Sequence, residues 1–214
     1  MKHSKQSIKP TCALALALLA GIAVSACGGG SDSTTTTTTT APTVSNGTGT
    51  SSSTAGVLCN YSASAYNASA SVQATSTSAW TCGTTSRVLA ANGIPDHSVG
   101  TFPNPDNPNT ITSQSVTGEF TLAPVASATA TTLGGPAGVI GFVLNGIKID
   151  AGTGGSCDNT GTICSLGDPS GAWSIEALGQ KSFSFGTDNN NAHVQPGGAY
   201  HYHGMPEGFI TQLG

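Results

Sequence analysis

Where apolar residues of this chain fall into a pattern, they recur at every second position. From Gln114 to Leu122, Val116, Gly118, Phe120 and Leu122 alternate with Ser115, Thr117, Glu119 and Thr121, and Trp173, Ile175 and Ala177 alternate with Ser174 and Glu176. A period of two is that of a half-buried strand, and no stretch sustains the helical period. Val139 to Leu144 is a continuous apolar run that ends in Asn145-Gly146 and resumes as Ile147-Lys148-Ile149. An Asn-Gly pair supplies two positive φ values, so this segment is predicted to be a tight hairpin. The expected fold class is all-β, an antiparallel β-sandwich or irregular barrel with long Pro/Gly-rich loops. Trp173 sits on the apolar phase of its strand and is expected in the core.

Charge narrows the function. Charged residues make up 7% of the chain, against about 25% in an average soluble domain. Lys2, Lys5 and Lys9 lie at the extreme N-terminus, which leaves Arg87, Lys148 and Lys181 against ten acidic residues. No basic surface remains for phosphate, so nucleic acid is excluded as a partner. The chain has no Gly-x-Ser-x-Gly elbow, P-loop or dinucleotide fingerprint. Asp188 to Asn191 and Asp150 to Asp158 hold oxygen ligands among glycines without calcium-loop spacing, and read as solvated turns.

The N-terminus reads as an export signal. Three lysines precede the apolar stretch Ala13–Val24, and Val24-Ser25-Ala26 offers small residues before Cys27; the stretch is too short to span a bilayer as a mature helix. It resembles the lipobox of bacterial lipoproteins. That resemblance implies a signal peptide over residues 1–26, acylation of Cys27 and a membrane contact through the lipid. Gly28 after the cysteine implies the outer membrane, on its periplasmic or surface face, with simple secretion as the alternative. Residues 27–56, with threonine from Thr34 to Thr40 and further Ser, Thr and Gly behind it, have too little apolar surface to offset ordering entropy. They read as a disordered linker, ahead of one domain over residues 57–214.

Cys59, Cys82, Cys157 and Cys164 remain after the signal and Cys27. An even set in an oxidising compartment suggests two disulfides, and local bracketing favours Cys59 with Cys82 and Cys157 with Cys164. Zinc sites with paired Cys-x-x-Cys spacing do not fit this set.

Histidine carries the functional argument. His193, His201 and His203 fall within eleven positions, in a chain poor in other ionisable groups. If Tyr200 to His203 is extended, the two histidines share one face and the two tyrosines the other. If Pro196-Gly197-Gly198 forms the loop of a hairpin, His193 lies opposite His201 and three imidazoles converge. A slip of one residue sets His193 against Tyr202 instead. Three neutral imidazoles with one open position would suit a transition metal, copper, zinc or iron, for redox or hydrolytic chemistry.

Tyr200-His201-Tyr202-His203 and the lead-in His193 to Gly198 resemble the YHYH domain family of bacterial secreted proteins and lipoproteins. Asn92 to His97, Phe102 to Asn109, Leu144-Asn145-Gly146, Gly171 to Trp173 and Glu176-Ala177 fit as well, so the resemblance runs from about Cys82 to the last residue. It implies a β-rich extracytoplasmic domain of uncharacterised activity, and it nominates His97 as a fourth member of the metal site. Members usually continue beyond this motif through further strands, whereas this chain stops at Gly214. The resemblance therefore implies a C-terminal truncation, with part of the sheet missing. Two other functions stay open: a surface module that binds carbohydrate or a protein partner, with Trp80 and Trp173 as contacts, and an inactive fragment.

Overall fold

The computed structural model describes residues 59–131, 138–150, 152–168 and 170–213. The expected signal peptide, Cys27 and the linker to residue 56 lie outside the described residues. Strand is the dominant regular structure among the described residues, as the alternation requires. No sheet closes into a barrel among the described residues, so the barrel alternative falls.

Strands β1 (Tyr61–Asn67), β2 (Ala74–Cys82), β3 (Ser86–Ala91) and β4 (Val116–Thr121) form an antiparallel meander in that order. Its inward positions alternate along each strand and bury Tyr61, Ala63, Trp80 and Leu89. Trp80 donates its indole N–H to the Leu144 carbonyl at 2.9 Å, and the Arg87 guanidinium lies 4.1 Å above its ring. Trp80 is therefore core and not a surface contact. Phe142 and Leu144 pack on the same cluster, which ties the meander to the second sheet.

That sheet combines β5 (Val139–Phe142), β6 (Lys148–Asp150), β10 (Ala192–Val194) and β11 (Tyr200–Tyr202) in the order β10-β11-β6-β5. The β11–β6 pair is parallel, a departure from the expected antiparallel arrangement that brings together segments some fifty residues apart in sequence. Ile94, Phe102, Ile111, Ile147, Tyr200 and Tyr202 are buried in the core against one face. A third, small sheet orders β8 (Cys164–Leu166), β7 (Gly155–Cys157) and β9 (Trp173–Ser174), and helix α1 (Glu207–Leu213) closes the described chain with Phe209 buried.

The Asn145-Gly146 hairpin forms with a different turn from the one expected. Gly146 alone takes a positive φ, at 81°, and Gly146 N–H and Val143 N–H bond the carbonyls of Val143 and Ile147. This is a three-residue loop with glycine in the left-handed position, and it frees the buried Asn145 side chain for other bonds. Trp173 is also corrected. It is 62% exposed while Ile175 and Ala177 are buried, because β9 ends at Ser174 and the alternation breaks there.

Cys157 and Cys164 are disulfide-bonded across β7 and β8. Cys59 and Cys82 are free, against the expected pairing. The chain brings their side chains into contact, two positions beyond the Tyr61–Trp80 pair, and burial pushes the Cys82 thiol up, with Cys59 adding to the effect.

The β10–β11 loop is Pro196-Gly197-Gly198. Gln195 N–H bonds the Ala199 carbonyl and Gly198 N–H the Gln195 carbonyl, each at 2.9 Å; Gly197 and Gly198 have φ of 93° and 90°. A Cβ at Gly198 would collide with Thr112, whose N–H bonds the Gly198 carbonyl at 3.0 Å. Gly198→Ala is expected to cost about 1–3 kcal/mol through backbone strain and the clash. Thermal unfolding should then show a midpoint lower by roughly 2–12 °C.

Candidate metal centre

The loop fixes the register Ala192↔Tyr202, His193↔His201, Val194↔Tyr200. Of the two registers open in the sequence, this is the one that gathers the histidines. Tyr200, His201 and Tyr202 are all buried, so both faces of β11 are covered, and each face is polar in its own way.

On one face, Nε2 of His203 lies 3.0 Å from Nε2 of His201 and 3.1 Å from Nε2 of His193. Candidate ligand atoms of all three histidines fall within 4.8 Å of one another. Nitrogens on a tetrahedral ion at a bond length of about 2.05 Å stand roughly 3.3 Å apart, so the cluster matches a shared ion after small adjustments. The outer nitrogens are held from behind. His193 Nδ1 faces the Phe185 carbonyl at 2.9 Å and His201 Nδ1 the Ala199 carbonyl at 3.3 Å, which assigns the proton to Nδ1 and leaves the Nε2 lone pair for a ligand bond.

Burial favours the uncharged imidazole. It lowers all three pKa values, His201 to about 2 and His203 to about 4, with neighbouring imidazoles adding to the shift in both. Neutral imidazole is the form that binds transition metals. The trio borders a cavity of about 560 Å³ that is also lined by Asn109, Leu166, Phe185 and Gln195. That volume falls within the range of small-molecule sites.

The other face holds the phenols. Tyr202 Oη lies 2.6 Å from Nε2 of His97 and accepts from Asn145 Nδ2 at 3.0 Å. Asn145 also donates to Asp96 Oδ1 at 2.9 Å and accepts from Ile147 N–H. Tyr200 donates to Asp188 Oδ2 at 2.8 Å, and Asn190 Nδ2 bonds the Ser98 carbonyl. Burial raises both phenol pKa values, so the hydroxyls stay protonated and act as donors.

His97 is therefore not with the other three. Both of its ring nitrogens are engaged on the tyrosine face, Nδ1 with the Ser98 carbonyl and Nε2 with Tyr202, and it borders a separate cavity of about 760 Å³ together with Asp188 and Glu207. The turns read as solvated are also corrected: Asp150, Thr153, Ser156 and Asn190 are buried and Asp188 is half-buried, each with a hydrogen-bonded partner. Asp150 and Lys148 carry no sequence signal that joins them to the histidines, because only the parallel β6–β11 pairing sets them beside the histidine strand.

Fold and site together define an all-β domain with a buried cluster of three histidines beside a cavity. Residues 117–214 match the family described as YHYH protein. The match includes all three clustered histidines and begins after His97 and the other segments between Cys82 and Val116. No curated protein and no solved structure matches the chain.

Tyr202→Phe removes the hydroxyl that satisfies both His97 and Asn145. Leaving two buried polar groups unpaired is expected to cost about 1–3 kcal/mol, with circular dichroism unchanged. A thermal midpoint lower by roughly 2–12 °C checks it.

Proposed function

We propose that this chain is an extracytoplasmic, lipid-anchored protein whose β domain binds one transition metal ion, copper, zinc or iron, through His193, His201 and His203. The observation that carries the reading is the convergence of three buried Nε2 atoms, two with their Nδ1 positions facing backbone carbonyls. A buried imidazole cluster without an ion or shared proton sets lone pairs against each other, whereas an ion at the centre satisfies all three. Three protein ligands leave a coordination position toward the cavity, where the ion would act as a Lewis acid or redox centre on a small ligand. Acylation at Cys27 and placement in the outer membrane belong to the same reading and rest on the lipobox resemblance; among the described residues no helix is long and apolar enough to cross a membrane.

The test is metal content. The chain purified from the cell envelope without chelators should carry about one metal ion by mass spectrometry, and His201→Ala/His203→Ala should lose it while keeping the wild-type dichroism spectrum. Substoichiometric metal that is the same in both proteins would sink the idea.

Trp173 favours a second reading as a surface-binding module, since it is exposed on the same small sheet that carries the exposed Leu166. On this reading, glycan-array binding survives both chelation and the double histidine substitution, and is lost in Trp173→Ala. Binding abolished by chelation would count against it.

A further inference from the structure

The parallel ladder carries the histidine face of β11 onto β6. Tyr202 pairs with Ile149, and Ile149 packs into the apolar core with Tyr200 and Tyr202. The residues next in register, His201 beside Lys148 and His203 beside Asp150, therefore share the opposite face. The Asp150 side chain is 1% exposed; its Oδ2 accepts from Lys148 Nζ at 2.8 Å and from Gln195 Nε2 at 3.5 Å. Its Oδ1 is buried and has no partner, and the same is true of Nδ1 of His203. Two unpaired polar atoms on residues adjacent across a ladder call for a common cause.

Tautomers supply it. With protons on Nδ1, His193 and His201 present Nε2 lone pairs to Nε2 of His203. Only a proton or a cation satisfies that arrangement. In the metal-free protein His203 must carry its proton on Nε2, which leaves Nδ1 as the bare acceptor observed. An ion bound by the three Nε2 atoms displaces that proton, and the neutral ring then holds its proton on Nδ1, where an acceptor is required. The charge and the backbone carbonyl of Asp150 both already act on His203, although Nδ1 makes no bond of hydrogen-bond geometry.

We propose that Asp150 is the outer-sphere carboxylate of the metal site, and that metal binding switches His203 from the Nε2–H to the Nδ1–H tautomer, with Asp150 Oδ1 accepting the new hydrogen bond. One proton leaves Nε2 and one arrives at Nδ1 through solvent, so the ring is neutral before and after and no net proton is released. Lys148 holds the other carboxylate oxygen. This rests on the metal reading above and adds a fourth residue and a structural response to it. Carboxylate–histidine–metal relays of this kind orient the ligand and raise its basicity.

The experiment uses the full chain, stripped with chelator and then titrated with zinc, which is diamagnetic. Long-range ¹H–¹⁵N spectra of the histidine side chains should show His203 as Nε2–H without zinc and all three clustered histidines as Nδ1–H with it. Zinc affinity measured against a chromophoric chelator should fall about 10–100-fold in Asp150→Asn. If Asp150→Asn fails to fold, Asp150→Asn/Lys148→Met removes both charges, and the wild-type tautomer measurement stands without any variant. His203 already Nδ1–H without zinc, or an unchanged affinity in the Asp150 variant, overturns this proposal alone. No zinc binding by the wild type overturns the metal reading and this proposal with it.

Discussion

The site depends on a three-residue loop. Pro196-Gly197-Gly198 closes the β10–β11 hairpin so that His193 lies opposite His201, and both glycines occupy φ values that other residues rarely adopt. Side chains in a strand alternate faces, so a loop longer or shorter by one would move His193 to the tyrosine side and break the cluster. The loop is pinned in turn by the segment from Thr112 to Gln114, which hydrogen-bonds the carbonyls of Gly197 and Gly198. Register here is a property of two segments held together, and only one of them contains histidine.

Strand β11 buries two tyrosines and a histidine within three residues, with His203 next to them. Burying that many polar groups is costly unless each finds a partner. On the tyrosine face every hydroxyl is satisfied, by His97, Asn145, Asp188 and Asn190, and this network fixes the strand from behind. On the histidine face satisfaction is incomplete: His203 Nδ1 and Asp150 Oδ1 are left over. The contrast between a saturated face and an unsaturated one, on a single strand, is where the proposed metal site lies.

Much of the fold was legible in local pattern. The alternation over residues 114–122 became β4, the apolar run before Asn145-Gly146 became a hairpin, and the Cys157–Cys164 bracket became a disulfide. Departures arose where tertiary contacts overrode local preference. Asn145 keeps an ordinary φ because its side chain is drawn into the core by Asp96 and Tyr202. Trp173 points outward because its strand is two residues long. His97 sits near the right strand in space, yet on the wrong side of it.

By itself the sequence determined the class of fold, through a period of two, and it picked out His193, His201 and His203 as the cluster available for chemistry, since the three stand within eleven positions of a chain poor in charge. Tertiary structure alone decided which of those side chains meet. It set three histidines together by a loop-defined register, turned the fourth toward a phenol, and brought in Asp150 through a parallel pairing across some fifty residues of chain. The physical reason is that alternation along a strand is a local property of the backbone, while the neighbour across a ladder depends on contacts distant in sequence.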